Sequence, residues 1–75
     1  MSLYDVKLNT VCQIKELRID DEKTRIRLME LGLVEGCKIY VKNKSVFKKT
    51  LLVIFNSSCF TLKENIAKSI MVTYA

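Results

Sequence analysis

The sequence contains no histidine. Without imidazole there is no Ser-His-Asp triad, no Cys-His pair, and no side chain whose ordinary pKa lies near neutrality to shuttle protons. Glycine is scarce as well: Gly32 and Gly36 are the only two. They cannot supply G-x-G-x-x-G or a P-loop, so a glycine-rich phosphate cradle is excluded. Proline is absent, and no repeat or low-complexity tract interrupts the chain. Nothing marks an internal linker, and one domain spanning 1–75 is expected. Cys12, Cys37 and Cys59 are odd in number, widely spaced and outside any C-x-x-C pair. They argue against a disulfide framework and cannot complete a four-ligand zinc site without a carboxylate or an outside donor. They read instead as small buried hydrophobes in a protein of the reducing cytosol. The longest unbroken aliphatic and aromatic run, Leu51 to Phe55, is far short of the roughly 20 residues that cross a bilayer as a helix. Met1 to Asp5 lacks a basic n-region. A membrane connection is therefore expected to run through a partner, without direct insertion.

What is present is an ordinary globular composition, 49% hydrophobic and 28% charged. A chain of this length buries only about 60% of its unfolded surface, so nearly every large apolar side chain is needed for the core. The formal charge of +5 is concentrated: Lys38, Lys42, Lys44, Lys48 and Lys49 fall in one stretch without an acid.

From Val11 to Ile19 the pattern reads as a strand whose apolar phase slips, with Cys12 and Ile14 on one parity and Leu17 and Ile19 on the other. A β-bulge or sharp bend produces such a slip. Asp20 and Asp21 are expected to supply N-cap oxygens for a helix over 22–31 that Gly32 ends in the C′ position. Capping accounts for Asp20, Asp21 and Glu22 better than a metal cluster does. On that helix Ile26 and Met29 lie on adjoining turns, as do Leu28 and Leu31, and this apolar stripe is expected to pack on the chain's own barrel. After Leu33-Val34-Glu35-Gly36, residues Cys37, Ile39 and Val41 alternate with Lys38, Tyr40 and Lys42, giving a strand with a core face and a basic wet face. A polar loop is expected over 43–50, in which Val46 and Phe47 either fold onto the core or project to a partner. Leu51 to Phe55 is apolar on both parities and calls for cover on both faces, the early helix being the expected cover. Turn chemistry at Asn56-Ser57-Ser58 predicts a hairpin with Cys59 to Leu62. Lys63 to Lys68 forms a helical turn before a closing strand of Ile70, Val72 and Tyr74. The fold class is mainly β: a small, SH3-like, partly open barrel of about five strands, with one early α-helix and a short helical turn before the last strand.

Two stretches resemble the FeoA family. The run Arg25-Ile-Arg-Leu-Met-Glu-Leu-Gly-Leu-Val-Glu-Gly-Cys-Lys-Ile is similar to its hallmark, a basic pair followed by L-x-x-L-G-L-x-x-G and a strand. Phe60-Thr-Leu-Lys-Glu-Asn-Ile-Ala-Lys-Ser-Ile-Met-Val is similar to its closing pattern. With the first strand, the resemblance covers most of the chain. The family often has glycine before the first strand and a Pro/Gly-rich middle loop, where this chain has Leu8-Asn9 and Ser45-Val-Phe-Lys-Lys-Thr. The resemblance implies a cytosolic, non-enzymatic accessory protein of bacterial ferrous iron uptake that assists the FeoB membrane transporter by docking on its cytosolic region. It implies no cofactor and no catalytic residue. Ferrous iron sites commonly combine imidazole with carboxylate, so the chain itself is not expected to hold metal.

Leu33, Val34, Glu35, Lys38, Tyr40, Lys42, Lys44, Phe47, Lys48 and Lys49 are the candidate partner-binding residues, apolar groups giving affinity and lysines steering the encounter. Two other readings stand beside docking. A small basic barrel with Tyr40 between Lys38 and Lys42 stacks bases while tracking phosphates. The same domain type also follows the DNA-binding part of metal-dependent repressors of the DtxR type, and a chain with no helix-turn-helix before it favours the free-standing form.

Overall fold

Alternating apolar stretches and turn residues divide the chain into short elements, which a computed structural model describes over residues 1–75. A 3-10 turn at Leu3–Asp5 leads into strand β1 (Thr10–Leu17), helix α1 (Glu22–Glu30), β2 (Lys38–Ser45), β3 (Thr50–Phe55), β4 (Ser58–Lys63), helix α2 (Glu64–Lys68) and β5 (Ile70–Tyr74). The strands form one antiparallel sheet in the order β4-β3-β2-β1-β5. This is the expected partly open barrel, with both helical pieces in the expected places.

The core follows from strand parity. Cys12 and Ile14, Ile39 and Val41, Leu51 and Val53, Leu62, Ile70 and Val72 all lie on the inner face and are buried. Leu3, Val6 and Ala67 join them where the 3-10 turn meets α2. The phase slip in β1 is a bulge: Ile14 pairs with Val72 and Glu16 with Met71. Lys15 is the extra residue, which brings Leu17 opposite buried Ile70. Asn9 takes the left-handed φ of 61° just before β1, a conformation that asparagine tolerates in glycine's place.

The hairpin from β3 to β4 is tighter than the sequence suggested. Phe55 pairs with Ser58, leaving Asn56 and Ser57 as a two-residue loop with φ of 53° and 65°. Positive φ at both positions is the type I′ geometry that matches strand twist.

Four expectations need correction. The loop over 43–50 is mostly strand: Asn43, Lys44 and Ser45 continue β2, and only Val46 to Lys49 turn. A second bulge lies between Val41/Val53 and Asn43/Leu52, with Lys42 the extra residue. Of the α1 stripe only Leu28 packs into the core, and Ile26, Met29 and Leu31 stay exposed. Leu28 alone is buried on α1, and the helix lies against no strand over an appreciable length. Consequently β3 is not covered on both faces, and Leu52 and Ile54 stay half-exposed. At the helix N-terminus, the Asp21 carboxylate accepts from the Thr24 hydroxyl and caps no backbone N–H.

Candidate docking surface at the helix exit

The end of α1 is fixed by a chain of local choices. Gly32 adopts φ of 96°, the left-handed conformation glycine enters without a Cβ penalty. Its N–H donates to the Met29 carbonyl at 3.0 Å, and the Leu33 N–H donates to the Leu28 carbonyl at 2.9 Å. These two bonds make a Schellman motif, completed by the contact expected between the residues at its ends, here buried Leu28 and Leu33. The turn is then stitched to β1. Gly36 donates to the Ile14 carbonyl at 2.7 Å, Ile14 donates to the Cys37 carbonyl at 2.8 Å, and the Gln13 amide donates to the Gly36 carbonyl at 3.0 Å. The Cys37 thiol donates to the Gly32 carbonyl at 3.1 Å.

On this rigid platform the side chains divide. Leu33, expected at the contact surface, is fully buried, because the Schellman geometry turns it inward; it anchors the turn. Val34 and Glu35 face outward. They join Glu16, Leu17, Arg25 and Met29 around a shallow groove of about 330 Å³. Met29 and Val34, which line it, are 50% and 37% exposed, and Ile26 on the same helix and Leu31 at its C-cap are 45% and 43% exposed. Helical spacing alone suits a core-facing stripe equally well, which hides this exposure in the sequence. A signal was nevertheless available: at 100° per residue Ile26 and Met29 point away from Leu28 and Leu31, so both pairs cannot face one core.

The remaining candidates do not converge with the turn. Lys38 and Tyr40 lie on the outer face of β2, where the Tyr40 hydroxyl donates to the Asn9 side chain at 3.0 Å. The Lys42 bulge reverses the parity that follows, so Lys44 pairs opposite inward Leu51. Its ammonium sits 4.2 Å from the Tyr4 ring centroid. The expected row of lysines on one face is thus broken. Phe47, Lys48 and Lys49 stand at the β2–β3 turn, at the other end of β2 from Val34. Val46 and Phe47 project fully, 76% and 99% exposed, so of the two conformations considered for them the outward one forms.

The cysteines separate as well. Cys12 is buried, Cys37 half-buried and Cys59 exposed on β4, so the reading of all three as buried hydrophobes holds fully only for Cys12. Burial pushes the Cys12 thiol up to about 11, and it donates weakly to the Ile39 carbonyl at 3.6 Å. No three His, Cys, Asp or Glu side chains come together as a metal cage, and no helix is long and apolar enough to cross a membrane.

Comparison with known proteins places this geometry. No curated protein matches the sequence. The solution structure of the FeoA protein from Chlorobium tepidum is 28% identical, with a TM-score of 0.89 over 99% of this chain and 70% of its own. A FeoA-like protein from Clostridium acetobutylicum is 22% identical, with a TM-score of 0.82 over 99% of this chain and 85% of its own. A manganese-dependent transcriptional repressor, 15% identical, superposes with a TM-score of 0.90 over all of this chain and 41% of its own. The fold is therefore the SH3-like one that FeoA proteins share with such repressors. The FeoA domain model matches residues 1–74, and the chain belongs to the FeoA domain family.

Proposed function

We propose that this chain is a non-enzymatic accessory domain of ferrous iron uptake that docks on the cytosolic region of the FeoB transporter, at the inner face of the membrane. Family membership supports the iron context. The observation that carries the docking is the groove at the helix exit on which Met29 and Val34 stay exposed, beside a turn that hydrogen bonds hold in place. A chain of 75 residues needs its apolar side chains inside, so Met29 and Val34 left exposed on one groove are costly unless a partner covers them. Glu16, Arg25 and Glu35 line the same groove, giving apolar groups with charged neighbours as in protein interfaces. A preformed turn loses little conformational entropy on binding.

Of the residues proposed for the contact, Val34 and Glu35 line this groove, while the lysines lie apart from it on β2 and its turn. Their charge accelerates encounter with an acidic surface more than it adds affinity. The test is a binding isotherm between the full chain and the cytosolic region of FeoB. Met29→Asp and Val34→Asp should each weaken binding at least about tenfold. Affinity unchanged by both substitutions would reject this face.

A further inference from the structure

The opposite end of β2 carries a second feature that the docking face leaves unused. The 28 residues from Gly36 to Lys63 hold six lysines and no acid, while the remainder has seven bases against eight acids. Strand β2, the turn after it and the end of β4 are therefore the source of the net positive charge. At the turn between β2 and β3, Val46 and Phe47 project into solvent with Lys48 and Lys49 beside them. The tip is built and held: the Lys48 N–H donates to Ser45 Oγ at 3.2 Å, and the Glu64 N–H donates to the Lys49 carbonyl at 2.9 Å. Lys63 pairs opposite Thr50 at the same end. Lys44 and Lys68 flank the Tyr4 ring at 4.2 Å and 5.5 Å. Acids near this end are already engaged, Glu64 by Lys68 at 3.2 Å and Asp5 by the Ser2 hydroxyl at 2.9 Å.

We propose that this hairpin tip is a lipid contact: Phe47 and Val46 enter the interfacial layer of an anionic membrane while Lys48, Lys49, Lys44 and Lys63 face its headgroups. An amphipathic element with apolar residues at the point and lysines behind is the chemistry that binds such a surface. Behind the tip a polar groove of about 320 Å³, lined by Lys44, Ser45, Lys48, Thr50 and Thr61 among others, offers donors to headgroup phosphates. The tip is convex, with Phe47 meeting no other side chain, which suits a deformable medium better than a rigid protein pocket. A nucleic-acid strand would need a run of stacking surfaces, and Phe47 is alone. The two ends of β2 are seven residue steps apart, roughly 20 Å, so lipid contact at the tip leaves the helix-exit face free.

The chain has no tryptophan, so Phe47→Trp places a single indole reporter at a position whose side chain touches nothing in the fold. On vesicles of phosphatidylcholine with about one-third phosphatidylglycerol at low salt, its emission should shift to the blue and be quenched by brominated acyl chains. Vesicles of phosphatidylcholine alone should bind far less. The Lys48→Glu, Lys49→Glu double variant should lower partitioning by about 25-fold or more, at about fivefold per lysine. Phe47→Ser should lower it by about fivefold or more. Absence of binding to the anionic vesicles, or binding with unshifted emission, would overturn the proposal. So would a blue shift on adding the cytosolic region of FeoB when vesicles produce none, which would assign the tip to a protein. None of these failures touches docking through the helix exit, which is read from binding without lipid.

Discussion

Substituting the two glycines separately isolates what holds the helix-exit turn in place. Gly32 and Gly36 have nearly equal left-handed φ, 96° and 92°, so alanine at either should lose about 1–2 kcal/mol from backbone strain. Their surroundings differ. A Cβ at Gly36 meets nothing within 4 Å, whereas a Cβ at Gly32 falls 3.2 Å and 3.3 Å from two carbons of the Phe55 ring. The ring is half-exposed and has room to pivot, at about 0.5–1.5 kcal/mol for an off-rotamer position. Gly32→Ala should therefore cost about 1.5–3.5 kcal/mol and Gly36→Ala about 1–2 kcal/mol. For a domain of this size, stability is about 4–11 kcal/mol and each kcal/mol shifts Tm by about 4–8 °C. Urea and thermal unfolding followed by circular dichroism resolve such differences. Phe55→Leu in the Gly32→Ala background should recover part of the difference, since it removes the crowding atoms. Equal losses at the two glycines, with no recovery, would refute the claim that the Phe55 ring crowds a side chain at position 32.

Other substitutions test neighbouring parts of the argument. Leu33→Ala should cost about 2–5 kcal/mol because Leu33 is core, while Phe47→Ser should change stability by less than about 0.5 kcal/mol; denaturant titration of both checks their placement. Ser57→Gly should stabilise by about 0.5–1 kcal/mol, relieving a left-handed serine in the type I′ turn at the entropic cost of glycine. Cys59 should react with a thiol reagent in the native protein, and Cys12 only on unfolding. Cys12 also sets a pH dependence. Its thiol stays protonated in the fold up to about 11, against an ordinary value of 9.0. The stabilisation this represents is whole below pH 9 and is lost between 9 and 11, by about 2–3 kcal/mol, as unfolding titrations across that range should show.

Much of this fold could be read from the sequence because strand parity is a local signal. Alternation in Cys37 to Val41, the slip between Ile14 and Leu17, and Gly32 after a periodic stretch each have one simple reading, and each formed as read. The failures came where two local rules competed or where a long-range contact decided. The apolar residues of α1 satisfy a core pattern and a surface pattern alike, and only their tertiary placement shows that Leu28 goes inward while Ile26 and Met29 stay out. Lys42 continues a clean alternation by composition, yet the bulge opposite Val53 and Leu52 turns Lys44 onto Tyr4, forty residues earlier in the chain. Leu33 illustrates the same limit at the candidate surface. Its turn was located correctly, but the Schellman bonds that bury its side chain are a property of three-dimensional geometry.

Chemical-shift mapping of the labelled chain during titration with the cytosolic region of FeoB tests docking most directly. Perturbations should cluster on Glu16, Leu17, Arg25, Met29, Val34 and Glu35 and leave α2 unmoved. An unchanged spectrum at high partner concentration, or perturbations confined to α2 and β5, would contradict docking through the helix exit.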